Sequence, residues 1–272
     1  MANLSISAAW DEAKLILERE GKLLASVALA LVALPAVVTG LVSPGSMSTS
    51  SGPLWSDVLV IIASLIALAG QLALIRLALG PSITVGGAIA HGLKRLPVYL
   101  VAGILIMVAL IVAAIPLVLI LAALGVPLNA EMKPSGIVAL LVLVYLAIVL
   151  FVGVRMILAG PVASAEAVGP IAILKRSWSL TAGQFWRLFG FLVIFFIGAL
   201  VVLLGIGAAV GVLIGVTAGK IQPMSGSALV VALVQALLNA IITTVFAVML
   251  ARLYVQANGG SEAQASVPKS GT

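Results

Sequence analysis

Six stretches of this chain are apolar over about 20 residues or more, the length that a helix needs to cross the hydrocarbon core of a bilayer. They run roughly over residues 23–43, 54–80, 96–124, 136–160, 185–217 and 227–256. Backbone polar groups in hydrocarbon must be hydrogen-bonded within their own segment, so each stretch is predicted to be a helix. We therefore expect an all-α integral membrane protein with six transmembrane helices.

The composition argues against a soluble fold of this size. Of the 272 residues, 63% are hydrophobic and only 8% are charged, whereas a soluble domain carries about 25% charged residues. Because the chain has no cysteine, disulfides, iron–sulfur clusters and thiolate catalysis are excluded. We expect a single membrane domain over residues 1–256, followed by a disordered tail rich in Gly, Ser and Ala over residues 257–272.

The basic residues are distributed unevenly between the two sides of such a bundle. If the N-terminus lies inside, 12 of the 14 Lys and Arg residues fall on the inner side, and only Lys133 and Lys220 fall on the outer side. Inner loops of membrane proteins are enriched in Lys and Arg, so both termini are predicted to be cytoplasmic. No basic stripe interleaved with aromatic residues indicates a nucleic-acid partner.

The chain contains a pattern that resembles an internal repeat. Residues 75–81 and 154–161 each hold an Arg followed by Gly-Pro, and residues 93–95 and 174–176 each read Leu-Lys-Arg. This pattern favours three parallel helical hairpins, each preceded by an amphipathic helix in the cytoplasmic interface. The amphipathic segments are residues 5–20, 84–95 and 165–182. The alternative is that any hairpin obeying the positive-inside rule ends in a basic residue.

Five basic residues are predicted to contact lipid phosphate. Arg76, Arg155 and Arg187 lie near the cytoplasmic ends of spans, and Lys175 and Arg176 lie in the third amphipathic segment. Guanidinium groups pair well with phosphate. The alternative is that these side chains only anchor the helix ends by reaching the headgroup region.

The polar residues within the spans are amides and hydroxyls. Gln71, Gln235 and Asn239 are predicted to line a polar cavity, which would favour a transporter, with interhelical hydrogen bonding as the alternative. The glycines of the fifth span recur every four residues, which predicts close packing against another helix. They are Gly207, Gly211, Gly215 and Gly219.

The sequence holds no convincing catalytic or metal-binding constellation. His91 is the only histidine, and the eight acidic residues are scattered. Metal-dependent hydrolysis needs several converging carboxylates or histidines. We therefore expect no catalytic residues, no metal and no cofactor.

Residues 153–190 resemble the membrane domain that occurs in glycerophosphoryl diester phosphodiesterases and in free-standing bacterial proteins of the same family. The resemblance is carried by Glu166 before Gly169-Pro170, Leu174-Lys175-Arg176-Ser177-Trp178, Leu180-Thr181 and Phe185-Trp186-Arg187. In some relatives this domain is fused to a soluble phosphodiesterase domain, whose histidine and metal-binding carboxylates have no counterpart in this sequence. The resemblance therefore implies a membrane module linked to glycerolipid metabolism, and does not imply hydrolysis.

The expected function is that of a non-enzymatic bacterial inner-membrane protein, acting as a scaffold or lipid-interacting module. The alternative is a transporter of small solutes or lipids. The expected partners are membrane lipids, together with another membrane protein or a second copy of the chain.

Overall fold

A computed structural model describes residues 5–42, 54–80, 83–123, 136–217 and 226–265. In this part of the chain, six helical stretches are long and apolar enough to cross a membrane, which confirms the predicted all-α membrane class. No strand occurs among these residues. The elements are α1 (Ile6–Ala28), a π-helical turn (Leu29–Ala33), α2 (Leu34–Val42), α3 (Leu54–Leu79), α4 (Val85–Ala123), α5 (Gly136–Arg155), α6 (Ala159–Ala165), α7 (Pro170–Leu180), α8 (Phe185–Thr217) and α9 (Gly226–Ala265).

The first amphipathic segment and the first span form one continuous helical stretch, from α1 through the π-helical turn to α2. Ser5 caps its start, since the Ser5 hydroxyl accepts the backbone N–H of Ala8 at 3.3 Å. The π-helical turn lies directly before Pro35, whose ring crowds the carbonyl group four residues earlier in an ordinary α-helix. A wider turn at this point relieves that crowding.

This first helical stretch does not run straight beside α9. The Ser5 backbone N–H donates to the side chain of Gln256 at 3.2 Å, and at the far end a Cβ on Gly40 would lie 3.1 Å from the Ala232 Cβ. At 1.5 Å per residue, the chain from Ser5 to Gly40 makes about 53 Å of helix, whereas α9 spans about 36 Å between the same two contacts. The N-terminal half of α1 must therefore cross the end of the bundle obliquely.

The second amphipathic segment is also continuous with its span, in α4, and only the third forms a helix of its own, α7. The two Gly-Pro pairs differ as well. Helix α3 ends at Leu79, before Gly80, whereas Gly160 and Pro161 lie buried in the first turn of α6. Proline is tolerated there because the first turn does not need its N–H. The structure therefore does not confirm three equivalent hairpins.

The closely packed part of the molecule is centred on α3, which contacts α1, α2, α4, α6 and α9. Residues 72–75 of α3 are at most 1% exposed. Helix α4 approaches closest at Gly92, where a Cβ would lie 2.5 Å from the carbonyl oxygen of Ala69 and 3.3 Å from the backbone nitrogen of Ala73. Only glycine allows the two backbones to come this close.

Helices α5 and α8, which do not belong to this closely packed part, are loosely packed. In α8, Ile194 and Phe196 are 72% and 58% exposed, although they point to nearly opposite sides of the helix. A Cβ at Gly207 or Gly211 would meet nothing within 4 Å. The predicted close packing of the glycine stripe is thus wrong for Gly207 and Gly211 within one chain. The surroundings of Gly215 are not described, and Gly219 lies outside the described residues.

The predicted boundary of the disordered tail at residue 257 is also corrected. Helix α9 continues to Ala265. Ala257 is buried, and the side chain of Asn258 accepts a hydrogen bond from Arg176. The contacts of Ala257 and Asn258 hold the beginning of the predicted tail against the bundle, although its sequence has little helical periodicity. The predicted tail beyond residue 265 lies outside the part of the chain that the structure describes.

Candidate functional site at the basic end of the bundle

Residues 164–169, which close α6 and lead into α7, accept hydrogen bonds from side chains of α3, α4, α7 and α9. We call them the linker. They lie where the C-terminal ends of α3 and α9 meet the N-terminal part of α4. Two of the five basic residues predicted to contact phosphate, Arg76 and Arg176, hold the linker, and Arg155 holds the neighbouring helix α7, so this end of the bundle is the candidate site.

Ser164 ties the start of the linker to α3 and α4. Its carbonyl oxygen accepts a hydrogen bond from Arg76 NH1 at 3.3 Å and lies 3.0 Å from His91 Nε2. Its hydroxyl donates to the carbonyl of Leu72 at 3.2 Å, and the whole residue is 0% exposed. Arg76 and His91 therefore hold a backbone turn in place.

Arg95 holds the middle of the linker. Its guanidinium donates to the Glu166 carbonyl at 2.8 Å and to the Val168 carbonyl at 3.5 Å. Because the linker is not helical at these positions, its carbonyls lack partners from the regular i to i+4 pattern. The arginine supplies those partners from α4.

The carboxylate of Glu166 joins the linker to α7 and α9. It accepts hydrogen bonds from Arg176 Nε at 3.2 Å and from the Tyr254 hydroxyl at 2.8 Å. Arg176 also donates to the side chain of Asn258. The side chains of Arg176 and Glu166 are 33% and 27% exposed, so the ion pair is only partly screened by solvent.

We call the linker and the side chains that hold it the linker clasp. These side chains come from four helices that are distant in sequence. They are Arg76, His91, Arg95, Arg176, Tyr254 and Asn258.

Arg155 lies in a separate aromatic environment at the end of α5. Its guanidinium carbon is 5.3 Å from the centroid of the Phe151 ring and 5.1 Å from that of the Trp178 ring, within the range of cation–π attraction. Its backbone carbonyl accepts from the hydroxyls of Ser177 at 2.9 Å and Thr181 at 3.2 Å. These contacts dock α7 on α5. We call Arg155, Phe151 and Trp178 the aromatic box.

Positive charge exceeds negative charge at this end. Five arginines lie here, at positions 76, 95, 155, 176 and 252. The carboxylates near them include Glu166, Glu12 near Arg252, and Glu20 near Gly80 at the end of α3. Among the described residues, Nε of Arg76, Nε and NH1 of Arg155, and Nε of Arg252 are buried without a hydrogen-bond acceptor. Buried donors without partners are uncommon in proteins, and an anion that approaches this end would be stabilised.

The five predicted phosphate-contacting residues occupy three different environments. Arg76 and Arg176 belong to the linker clasp, Arg155 lies in the aromatic box, and Lys175 and Arg187 are exposed. Helix α7 buries Ile173, Ser177 and Leu180, whereas Ile171 and Trp178 face outward. Lys175 and Arg176, adjacent in sequence, therefore differ in role, because Arg176 points to Glu166 and Lys175 to the surface.

The residues of the predicted polar cavity do not meet in any described contact. Gln71 is half-buried in α3, while Gln235 and Asn239 are exposed on α9. Asn239 accepts a hydrogen bond from the Thr243 hydroxyl at 3.2 Å within the same helix. The cavity stays a prediction.

Sequence reasoning missed several members of the linker clasp. Tyr254 lies in the predicted sixth span, Asn258 lies in the predicted tail, and no partner is predicted for His91. Their partners are 73 to 88 residues away, so no local pattern marks them. Guanidinium groups, backbone carbonyls and one carboxylate meet at the linker. The hydrogen bonds among them hold the chain in position, and the excess of guanidinium groups attracts anions.

A family model described as a domain of unknown function (DUF7847) matches residues 4–257. The match therefore includes the linker clasp except Asn258, and the whole of the aromatic box. No curated protein and no solved structure matches the chain.

Proposed function

We propose that this chain, which belongs to the DUF7847 family, is a non-enzymatic membrane scaffold whose basic end binds anionic lipid headgroups in the cytoplasmic leaflet of a bacterial inner membrane. The observation that carries the proposal is the surplus of arginines over carboxylates at one end of the bundle, with guanidinium N–H groups that have no acceptor in the described structure. Phosphate-bearing headgroups supply that negative charge at the membrane surface.

The position of the tryptophans supports the same placement. Trp10, Trp178 and Trp186 are exposed at the basic end, and Trp55 is exposed at the start of α3, at the opposite end. Tryptophan is enriched at both membrane–water interfaces. On α3, Trp55 and Arg76 are separated by about 32 Å of helix, close to the thickness of the hydrocarbon core of about 30 Å.

The link to glycerolipid metabolism rests on the resemblance to the phosphodiesterase membrane domain, which the family match does not address. We keep it as part of the proposal because the residues that carry the resemblance include Glu166, Arg176 and Trp178. In the structure these residues belong to the linker clasp and the aromatic box.

Replacing Lys94 and Lys175 together by Gln should lower the retention of anionic lipid about tenfold or more, since each basic residue near an anionic leaflet contributes about 1 kcal/mol. Both side chains are exposed, so the fold should persist. Native mass spectrometry would count phosphatidylglycerol and phosphatidylcholine molecules retained from mixed vesicles.

The matched control replaces Lys14 and Lys22 by Gln. This removes the same charge from α1, where three basic residues and four acidic residues between Asp11 and Lys22 leave no positive excess. We expect the control to retain lipid as the wild type does. Equal retention by both double variants and the wild type would remove the lipid-binding proposal.

The proposed topology has its own test. Reporter fusions at Lys94 and Lys175 should give a cytoplasmic signal, and fusions at Gly45, Lys133 and Lys220 a periplasmic one, because the basic residues then lie inside. Fluorescent and alkaline phosphatase reporters distinguish the two sides. A periplasmic signal from the Lys175 fusion would contradict the orientation and the leaflet named above.

A further inference from the structure

We propose that the crevice between α5 and α8 holds one phospholipid, with its acyl chains between the two helices and its phosphate headgroup at the aromatic box. This deepens the proposed function, on which it rests, by naming a single built site and the chemical class of its ligand.

Helices α5 and α8 meet at the basic end of the bundle. The rings of Phe151 and Phe185 have centroids 5.2 Å apart, and Phe185 stacks on Phe189 at 5.9 Å with an interplanar angle of 4°. Because α5 ends at this contact and α8 begins there, both helices run away from it toward the opposite side of the membrane. The aromatic contact therefore forms the closed base of the crevice.

Beyond that base the walls of the crevice are apolar and unfilled by protein. Helix α5 contacts α4 on one side, where the Tyr145 hydroxyl donates to the Leu110 carbonyl at 3.2 Å. On the side of α5 that carries Phe151, Leu140 and Val144 are 61% and 50% exposed, and on the side of α8 that carries Phe185, Phe196 is 58% exposed. Apolar surface of this extent in a bilayer is covered by acyl chains or by another helix.

The charged and aromatic side chains at the base determine which class of ligand fits the crevice. Arg155 lies there half-buried, and two of its guanidinium nitrogens are buried and lack hydrogen-bond acceptors among the described residues. The Trp178 and Trp186 rings, 42% and 78% exposed, lie at the same level. Lys175 is one turn before Trp178 on α7 and exposed. A cation flanked by exposed indole rings is suited to a phosphate group at the membrane interface.

A phospholipid satisfies both halves of the site. A soluble anion would use the charge of Arg155 but leave the apolar walls uncovered. An uncharged lipid would cover the walls but leave the charge of Arg155 uncompensated. Only an amphiphile with an anionic phosphate and long acyl chains matches the base and the walls together.

The test uses the full chain reconstituted in vesicles of phosphatidylglycerol and phosphatidylcholine, then transferred to detergent for native mass spectrometry. We expect the wild type to keep one phospholipid through extended washing. The variants Trp178→Ala and Arg155→Gln should each reduce that occupancy at least about fivefold, the effect of losing about 1 kcal/mol at the interface. Trp178→Phe, which keeps an aromatic ring, should restore most of it.

Matched controls lie elsewhere in the same chain. Trp55→Ala removes an exposed tryptophan at the opposite end, and Arg19→Gln removes an arginine that is 76% exposed on α1. Both should keep the lipid. Diacylglycerol in place of phosphatidylglycerol should not be retained, because it lacks the phosphate, and inorganic phosphate should not displace the bound lipid, because it lacks the chains.

The outcomes separate this site from the general proposal. If Trp178→Ala and Arg155→Gln keep the lipid while the Lys94 and Lys175 double variant loses anionic lipid, the crevice site is refuted and the proposed function stands. If no variant changes retention, both are refuted. Trp178→Ala alters an exposed ring, so its result holds even if Arg155→Gln does not fold.

Discussion

Replacing Glu166 by Gln is expected to lower the free energy of unfolding by about 2 kcal/mol, since hydrogen bonds to charged groups contribute about 1.5–3 kcal/mol. The substitution keeps the size of the side chain and an oxygen that can accept from Tyr254. It removes the charge that pairs with Arg176 and leaves the neighbouring guanidinium groups without that carboxylate. Thermal unfolding in detergent, followed by tryptophan fluorescence, measures the loss.

A matched control and a double variant make this result specific. Glu18→Gln removes the same charge from an exposed position on α1 and should leave the melting temperature within error. The variant carrying both Glu166→Gln and Arg176→Gln should lose less stability than the sum of the two single variants, because it leaves no unpaired charge. Strictly additive losses would show that the ion pair does not stabilise the fold.

Replacing Gly92 by Ala should destabilise the protein by about 3 kcal/mol, at the upper end of the usual range for overpacking. The new Cβ would lie 2.5 Å from the carbonyl oxygen of Ala69 and 3.3 Å from the backbone nitrogen of Ala73. Both are backbone atoms of α3 and cannot rotate away, so α4 must move. The same thermal measurement, together with the fraction of monodisperse protein after heating, reports the effect.

The control is the same substitution at Gly103, about three helical turns further along α4. A Cβ there would meet nothing within 4 Å. Gly103→Ala should leave stability unchanged or raise it by up to about 1 kcal/mol, because alanine favours the helix. If Gly92→Ala were as stable as Gly103→Ala, the close approach of α3 and α4 at Gly92 would be disproved.

The spans could be predicted from the sequence because a bilayer dictates their length and apolar character. The residue ranges 54–80 and 185–217 agree with α3 and α8 to within one residue. The continuity of α1 with the first span was missed, although no proline separates Ser5 from Leu34. The sequence changes there from an amphipathic to a fully apolar pattern, which predicts a boundary between two helices. The helical backbone nevertheless continues through this change.

The roles of the arginines could not be read from the sequence. Arg76 and Arg95 bind backbone carbonyls of the linker, 88 and 71 residues away. A carbonyl acceptor is present at every residue and leaves no signature in the sequence. The positive-inside pattern groups these residues on one side of the membrane, yet it cannot distinguish a cation that holds the chain from one that is exposed, as Lys175 is.

The linker clasp also sets an order on biosynthesis. Arg76, His91 and Arg95 can bind the linker as soon as α7 has been synthesised, but Tyr254 and Asn258 belong to α9, which is synthesised after the other described helices. Until α9 inserts, Glu166 lacks its tyrosine partner, and the faces of α1 and α3 that pack on α9 are uncovered. Helix α9 therefore completes the linker clasp, and a nascent chain interrupted before it would present membrane quality-control proteases with an open bundle.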